Sequence, residues 1–156
     1  MSAPGFRLIG AAPDPGPRAG ALALLSDTNG RFLMQLRDDR PGVIHPGLWS
    51  LFGGGVEPGE TLSGALVREL HEELGLSVPT REPRPFAWFQ SDSAQRTRLY
   101  VFTLSLAITP ADLRLGEGAG FGFFTRDQLR GLAMPHALKP VFTAYFGEDD
   151  KILRQM

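Results

Sequence analysis

Apolar and polar residues alternate along this chain in short blocks, and the spacing within each block predicts its element. Two apolar runs, 20–25 and 31–37, flank Ser26-Asp27-Thr28-Asn29-Gly30. Asn-Gly is a strong turn signal, so the two runs predict a β-hairpin. Residues 38–47 are rich in Asp, Pro and Gly and predict a loop. A short strand over 48–52 then runs into Gly53-Gly54-Gly55. Over 61–74 the period changes. Leu62, Leu66, Leu70 and Leu74 recur every four residues, with Thr61 placed as N-cap and Gly75 as the residue past the C-terminus. That is an amphipathic helix with one core-facing stripe. After a Pro-rich link, 86–90 and 98–107 read as strands around a polar loop, and 121–124 as another strand. The segments 125–132 and 135–146 read as helices, with Pro135 suited to a first turn. Residues 1–18, punctuated by prolines and glycines, predict an irregular arm with a short edge strand near 6–9.

One α/β (α+β) domain over 19–156, preceded by the arm 1–18, is the economical organisation: strands and helices alternate irregularly, and no repeat or interdomain linker is visible. The 156 residues suit one domain. With 16 basic and 17 acidic residues, net charge gives no reason to expect nucleic-acid binding. No apolar run reaches the roughly 20 residues of a membrane span, and the apolar stretch 19–25 is a poor signal peptide. A cytoplasmic protein is expected. The chain has no cysteine, which excludes disulfides, thiolate metal sites and a cysteine nucleophile. Any metal must be held by oxygen or imidazole, which favours Mg²⁺, Mn²⁺ or Ca²⁺.

The chemistry concentrates between Gly54 and Leu76. On the helix, Glu69, Glu72 and Glu73 fall within an arc of about 100°. Like charges at these spacings cost an isolated helix roughly 0.2–0.5 kcal/mol per pair, and the C-terminal half of a helix disfavours anions. Glu73 also borders the leucine stripe. A solvated acidic face is the ordinary reading of such a cluster, and Arg68, four residues before Glu72, suits it. A bound divalent cation is the alternative, because it removes the penalty. The glycine run before the helix supports the alternative, since bare backbone there can approach a metal or phosphate; by itself, such a run is a tight turn.

Gly54, Glu60, Arg68, Glu69, Leu70, Glu72, Glu73, Gly75 and Leu76 resemble the Nudix box: glycine, five residues, glutamate, seven residues, then Arg-Glu-aliphatic-any-Glu-Glu-any-Gly-aliphatic. Every fixed position and every spacing is kept, and the order of elements around the box also looks like the family. The resemblance implies an α/β/α sandwich with a mixed sheet between helices. It implies a Mg²⁺-dependent hydrolase, with Mn²⁺ as a substitute, that cleaves the diphosphate bond of a nucleoside diphosphate linked to another group. It implies Glu69, Glu72 and Glu73 as metal-binding carboxylates, the Gly54 carbonyl as a further ligand, and Glu57, Glu60 and Arg68 in support. The proton of the attacking water would go to Glu72, Glu73 or a downstream carboxylate, for which Glu117 is the candidate.

Substrate-side candidates are Arg37, Arg40, Arg96 and Arg98 for phosphate, and Trp49, Trp88, Phe89 and Phe121 for stacking on a base. Solvated arginines and core aromatics are the commoner uses of such residues. His71 is expected to face solvent, and nothing near His45 or His136 makes a metal set. The expected partner is a small-molecule nucleotide. Family relatives are often homodimers, so a homodimer stays open. Isopentenyl diphosphate isomerases share the superfamily but need a cysteine, which this chain lacks. A silent nucleotide-binding module is the remaining alternative; such modules usually lose box glutamates, and all are present here.

Overall fold

The computed structural model describes residues 3–147. The last nine positions of the expected 19–156 domain and the first two of the arm lie outside the described residues. Among the described residues the strands are β1 (Arg7–Leu8), β2 (Ala19–Ser26), β3 (Phe32–Leu36), β4 (Trp49–Ser50), β5 (Phe52–Gly55), β6 (Arg84–Gln90), β7 (Arg98–Ser105) and β8 (Gly120–Phe124). The helices are α1 (Leu62–Leu74), α2 (Arg126–Leu129) and α3 (Lys139–Phe146), with a 3-10 turn at Pro110–Asp112.

The sheet is mixed. β2 runs parallel to β7 and β1 parallel to β6, while the remaining pairs are antiparallel. The predicted β2–β3 hairpin is present, but its strands pair only at Ser26↔Phe32 and then splay. Its turn is built on Asp27, whose carboxylate accepts the backbone N–H groups of Asn29 and Arg31, each at 2.9 Å. The wedge between the splayed strands is filled by one segment that changes partner. β4 pairs with β3 through Gln35↔Ser50, and β5 pairs with β2 from Ala23↔Phe52 to Gly20↔Gly55.

The glycine run is therefore strand and not a turn after one. Gly53 has φ +142°, and a Cβ there would lie 2.1 Å from the Ala21 carbonyl oxygen. Only glycine lets the two backbones approach this closely.

Alternate side chains of the sheet feed two cores. Ala21, Ala23, Leu25, Leu33, Phe52 and Phe102 face α1, packing against Ala65, Leu66, Leu70 and Leu74. Leu22, Leu24, Phe32, Met34, Leu51 and Val101 face the other way, against Leu129, Leu138, Val141 and Phe142. The result is helices on both faces of a mixed sheet, the α/β/α arrangement the resemblance implied. Helix α1 follows its sequence closely. Thr61 caps it by accepting the Gly64 N–H at 3.0 Å, and Gly75 ends it at φ +69°. Burying each of Leu66, Leu70 and Leu74 contributes about 1.5–3 kcal/mol.

The two C-terminal helices are shorter than the sequence suggests. A helix begun at Pro135 would need the Pro140 nitrogen to donate to residue 136, and proline has no N–H. Pro135 instead closes a single turn by accepting the Leu138 N–H, and Pro140 sits in the first turn of α3. Helix α2 stops at Leu129. Arg130, Gly131 and Leu132 then make tighter bonds to the residue three positions back, ending the α-helical pattern.

The arm is pinned along the sheet. β1 pairs with β6, Phe6 packs edge-on against Tyr100 and Phe102, and the Gly16 N–H donates to the Arg96 carbonyl at 2.8 Å. Among the described residues no helix is long and apolar enough to cross a membrane.

Candidate active site

The site lies where β2 and β3 splay, between β5, the C-terminal half of α1 and the loop before β8. Arg68 organises it. Its Nε and Nη2 donate to the two carboxylate oxygens of Glu60, both at 2.8 Å. Nη1 donates to Glu69 at 2.9 Å and to Glu72 at 3.3 Å, and Nη2 also donates to the Gly55 carbonyl at 3.0 Å. One guanidinium thus ties the loop, β5 and α1 together. The fork geometry accounts for arginine at this position, since a lysine presents no planar pair of donors. The Arg68 hydrogen bonds, and after them the Glu57 backbone N–H donated to Glu60 at 2.8 Å, hold the Glu60 carboxyl down at about 2.

The three helix glutamates meet different environments. The Glu72 side chain is 59% exposed and that of Glu69 15%. Glu73 is 3% exposed, although it is ionisable. Burial first, then the adjacent Glu69 carboxyl and the charge of Glu117, push Glu73 up to about 8, opposed by the nearby Gly53 backbone N–H. Glu73 Oε2 accepts a 3.4 Å bond from Gln35 Nε2, while Oε1 is buried with no hydrogen-bond partner. Gly54 stands directly over Glu69: a Cβ there would lie 2.5 Å from the Glu69 carboxyl carbon.

These features suit a divalent cation. A buried carboxylate oxygen without a donor, crowded by two more carboxylates, is costly unless a positive charge compensates it. The donor set is all oxygen, as hard cations require. In the side-chain positions seen, no three acidic or histidine groups among the described residues converge tightly enough to hold an ion. Arg68 draws both Glu69 and Glu72 toward itself.

Glu117 is exposed on the loop 114–119, which is tied to the end of α1. The Gly116 N–H donates to the Glu73 carbonyl at 2.7 Å and the Arg114 N–H to that of Leu74 at 2.9 Å. Asp38, Arg40 and Leu115–Gly118 line a cleft of about 380 Å³ beside it. Of the four substrate-side arginines, only Arg40 lies there, 3.6 Å from Asp38. Arg37 braces its own loop by donating to the Ile44 carbonyl at 2.6 Å. Arg96 pairs with Asp14 at 2.6 Å, and Arg98 donates to the Pro17 carbonyl at 3.1 Å, so both fasten the arm.

Phe89 belongs to the core, Trp49 meets Phe124 edge-on and Trp88 stacks on Tyr100. Phe121 packs against the α1-side core. His71 and His136 are exposed, and His45 pairs with Asp92 at 2.9 Å. Sequence reasoning missed Gln35. It is 3% exposed and contacts both Glu73 and the Glu117 carbonyl. Its one signal was a polar side chain two residues after Leu33 within an apolar strand, on the face toward α1.

The NUDIX domain family matches residues 16–145, and this chain belongs to that family. It is a Nudix hydrolase. Over 126 residues it is 34% identical to nucleoside triphosphatase NudI of Enterobacter sp. (strain 638), covering 74% of this chain and 87% of that one. Over 77 residues it is 46% identical to NudI of Escherichia coli O1:K1 / APEC, covering 49% of this chain and 51% of the relative, about half its length. Among solved structures it resembles the MutT NUDIX hydrolase of Burkholderia pseudomallei, with TM-score 0.68 and 23% identity over 80% of this chain and 95% of that one. It also resembles a bifunctional NMN adenylyltransferase/ADP ribose pyrophosphatase from Francisella tularensis, complexed with AMP and a Mn ion. There the TM-score is 0.68 at 22% identity, over 86% of this chain and 42% of that one. At these identities the two structures bear on the fold alone.

Proposed function

We propose that this chain hydrolyses a phosphoanhydride bond of a nucleoside triphosphate in a reaction that depends on Mg²⁺, with Mn²⁺ as a substitute. The observation that carries the reading is the buried, unpartnered Oε1 of Glu73 beside two further carboxylates. The similarity to nucleoside triphosphatase NudI supports the choice of substrate class. Glu69, Glu72, Glu73 and the Gly54 carbonyl would hold the cation. When bound, it neutralises the phosphate charge, polarises the phosphoryl oxygens and acidifies a water.

The chain's own groups supply the rest. Water attacks one phosphorus, the bridging P–O bond breaks, and the leaving phosphate keeps the bridging oxygen. The proton released by the water passes to a carboxylate, for which Glu117 is preferred over Glu72 and Glu73 because it is exposed beside the cleft. Arg40, which lines the same cleft, meets a substrate phosphate. Arg68 fixes the carboxylates, with Glu57 and Glu60 fixing Arg68 in turn. Arg37, Arg96 and Arg98 serve the loops and the arm. We take the domain to begin at residue 19 and the enzyme to act in the cytoplasm.

The test is phosphate and pyrophosphate release from a panel of nucleoside triphosphates and other diphosphate compounds, with Mg²⁺, with chelator, and with Glu73→Gln. Cleavage of triphosphates that chelator and the substitution both abolish supports the reading. A nucleotide that raises Tm but is never cleaved, with Mg²⁺ or Mn²⁺, establishes a silent binding module instead.

A further inference from the structure

We infer that Gln35 is a positioning residue for hydrolysis: its side-chain amide sets the orientation of the Glu73 carboxylate and the seat of the loop that carries Glu117. The inference rests on the reading above, in which both glutamates belong to the site.

Gln35 lies near the end of β3, and its backbone is held from both sides, opposite Ser50 of β4 and Phe121 of β8. Its side chain therefore leaves a braced strand and points to the α1 face, as Leu33 does two residues earlier. Its Nε2 has two hydrogens and two acceptors in reach. Glu73 Oε2 is 3.4 Å away and the Glu117 carbonyl oxygen 3.2 Å. The loop packs against the amide itself, since a Cβ on Gly118 would stand 2.8 Å from Nε2, and Gly118 has φ +93°. The backbone conformation at 118 favours glycine, and the missing side chain lets the loop lie against the Gln35 amide.

The pairing is selective. By engaging Oε2, Gln35 leaves Oε1 as the oxygen of Glu73 without a partner. Rotation of the carboxylate would break that bond. One buried amide therefore links the helix and the loop at the point where their acidic groups approach. An apolar side chain of similar volume at 35 would leave Glu73 Oε2 and the Glu117 carbonyl without this donor, so stability falls whether or not the amide serves the reaction, and only kinetics separate the two roles.

Gln35→Met and Gln35→Leu keep the volume and remove both donors. Both lower Tm by leaving Glu73 Oε2 and the Glu117 carbonyl without that donor, so kcat is measured well below the melting range and per folded protein. Their kcat falls about 10–100-fold with KM little changed, as for loss of a group that orients a reactive one. Amide hydrogen exchange across 114–118 quickens in the same variants, without substrate or metal. Unchanged kcat in folded variants overturns the inference, as does lost activity that only tracks a lost folded fraction. If neither variant folds, Gln35→Asn decides: it keeps a polar amide but is too short to reach either acceptor, so wild-type kcat there also overturns the role. Glu73→Gln and Glu117→Gln are assayed alongside. Full activity in both defeats the underlying site reading, whereas their loss beside fully active Gln35 variants defeats this inference alone.

Discussion

Arg68 grips Glu60 through two parallel N–H···O bonds, both 2.8 Å, across eight residues of sequence. The same guanidinium reaches Glu69, Glu72 and the Gly55 carbonyl. Arg68→Lys keeps the charge but cannot make the fork, the two helix contacts and the strand contact together. The expected result is a fall in kcat of about 10–100-fold. Steady-state kinetics read it, with circular dichroism verifying that α1 persists.

Two neighbouring glycines separate folding from chemistry. At Gly53 a Cβ meets backbone, 2.1 Å from the Ala21 oxygen and 2.8 Å from the Leu22 Cα, at a φ of +142°. Gly53→Ala must force β2 and β5 apart, so it lowers stability by several kcal/mol, on the order of 3 or more. At Gly54 a Cβ meets only the far end of the Glu69 side chain, which can swing aside. Gly54→Ala therefore folds with a small change in Tm and loses most of its activity. Thermal melts and assays of the pair check this; equal melting temperatures would refute the distinction.

Glu73→Gln tests whether the buried carboxylate serves chemistry at the expense of the fold. It removes a charge that burial and two nearby carboxylates oppose, and keeps the shape. In chelator at pH 8.5, above the raised value, the substituted protein melts higher than the parent. The gap narrows as pH falls below that value and closes below 4.5, the unperturbed value, where the carboxyl is neutral in the folded and the unfolded chain alike. Activity falls at least about 100-fold, the scale of losing a group acting on the reacting centre. A lower Tm at pH 8.5 would mean that Glu73 stabilises the fold.

Much of this was legible because it is local. The leucines of α1, its caps at Thr61 and Gly75, and the spacing of Glu69, Glu72 and Glu73 lie within one stretch of chain, where helical period alone fixes their relation. The contacts that complete the site are not local. Gln35 meets partners 38 and 82 residues away, and Arg96 meets Asp14 across 82, so no spacing rule exposes them. Gly53–Gly55 read as bare backbone open to close approach, and by itself such a run signals a turn; the pairing that makes it a strand comes from β2. Pro135 carried a start signal that Pro140, five residues on, overrides.

Asp27 gives a pH prediction away from the site. Burial raises its pKa, but the Arg31 and Asn29 backbone N–H groups and the Arg31 guanidinium outweigh that and hold it below 3.8, the unperturbed value. A depressed carboxylate stabilises the fold fully above the unfolded-state pKa, and that stability is lost as pH falls through the lower folded-state value. Asp27→Asn retains an acceptor for a backbone N–H but no charge for Arg31 Nε, now 3.0 Å from the carboxylate. The substitution should cost about 1–2 kcal/mol at pH 7. That cost holds constant down to about pH 5 and shrinks through and below 3.8. Urea unfolding of both proteins between pH 7 and pH 2.5 measures it. A difference that grows toward acid would show that Asp27 is protonated more readily in the folded chain than in the unfolded one, and that burial outweighs the turn's donors.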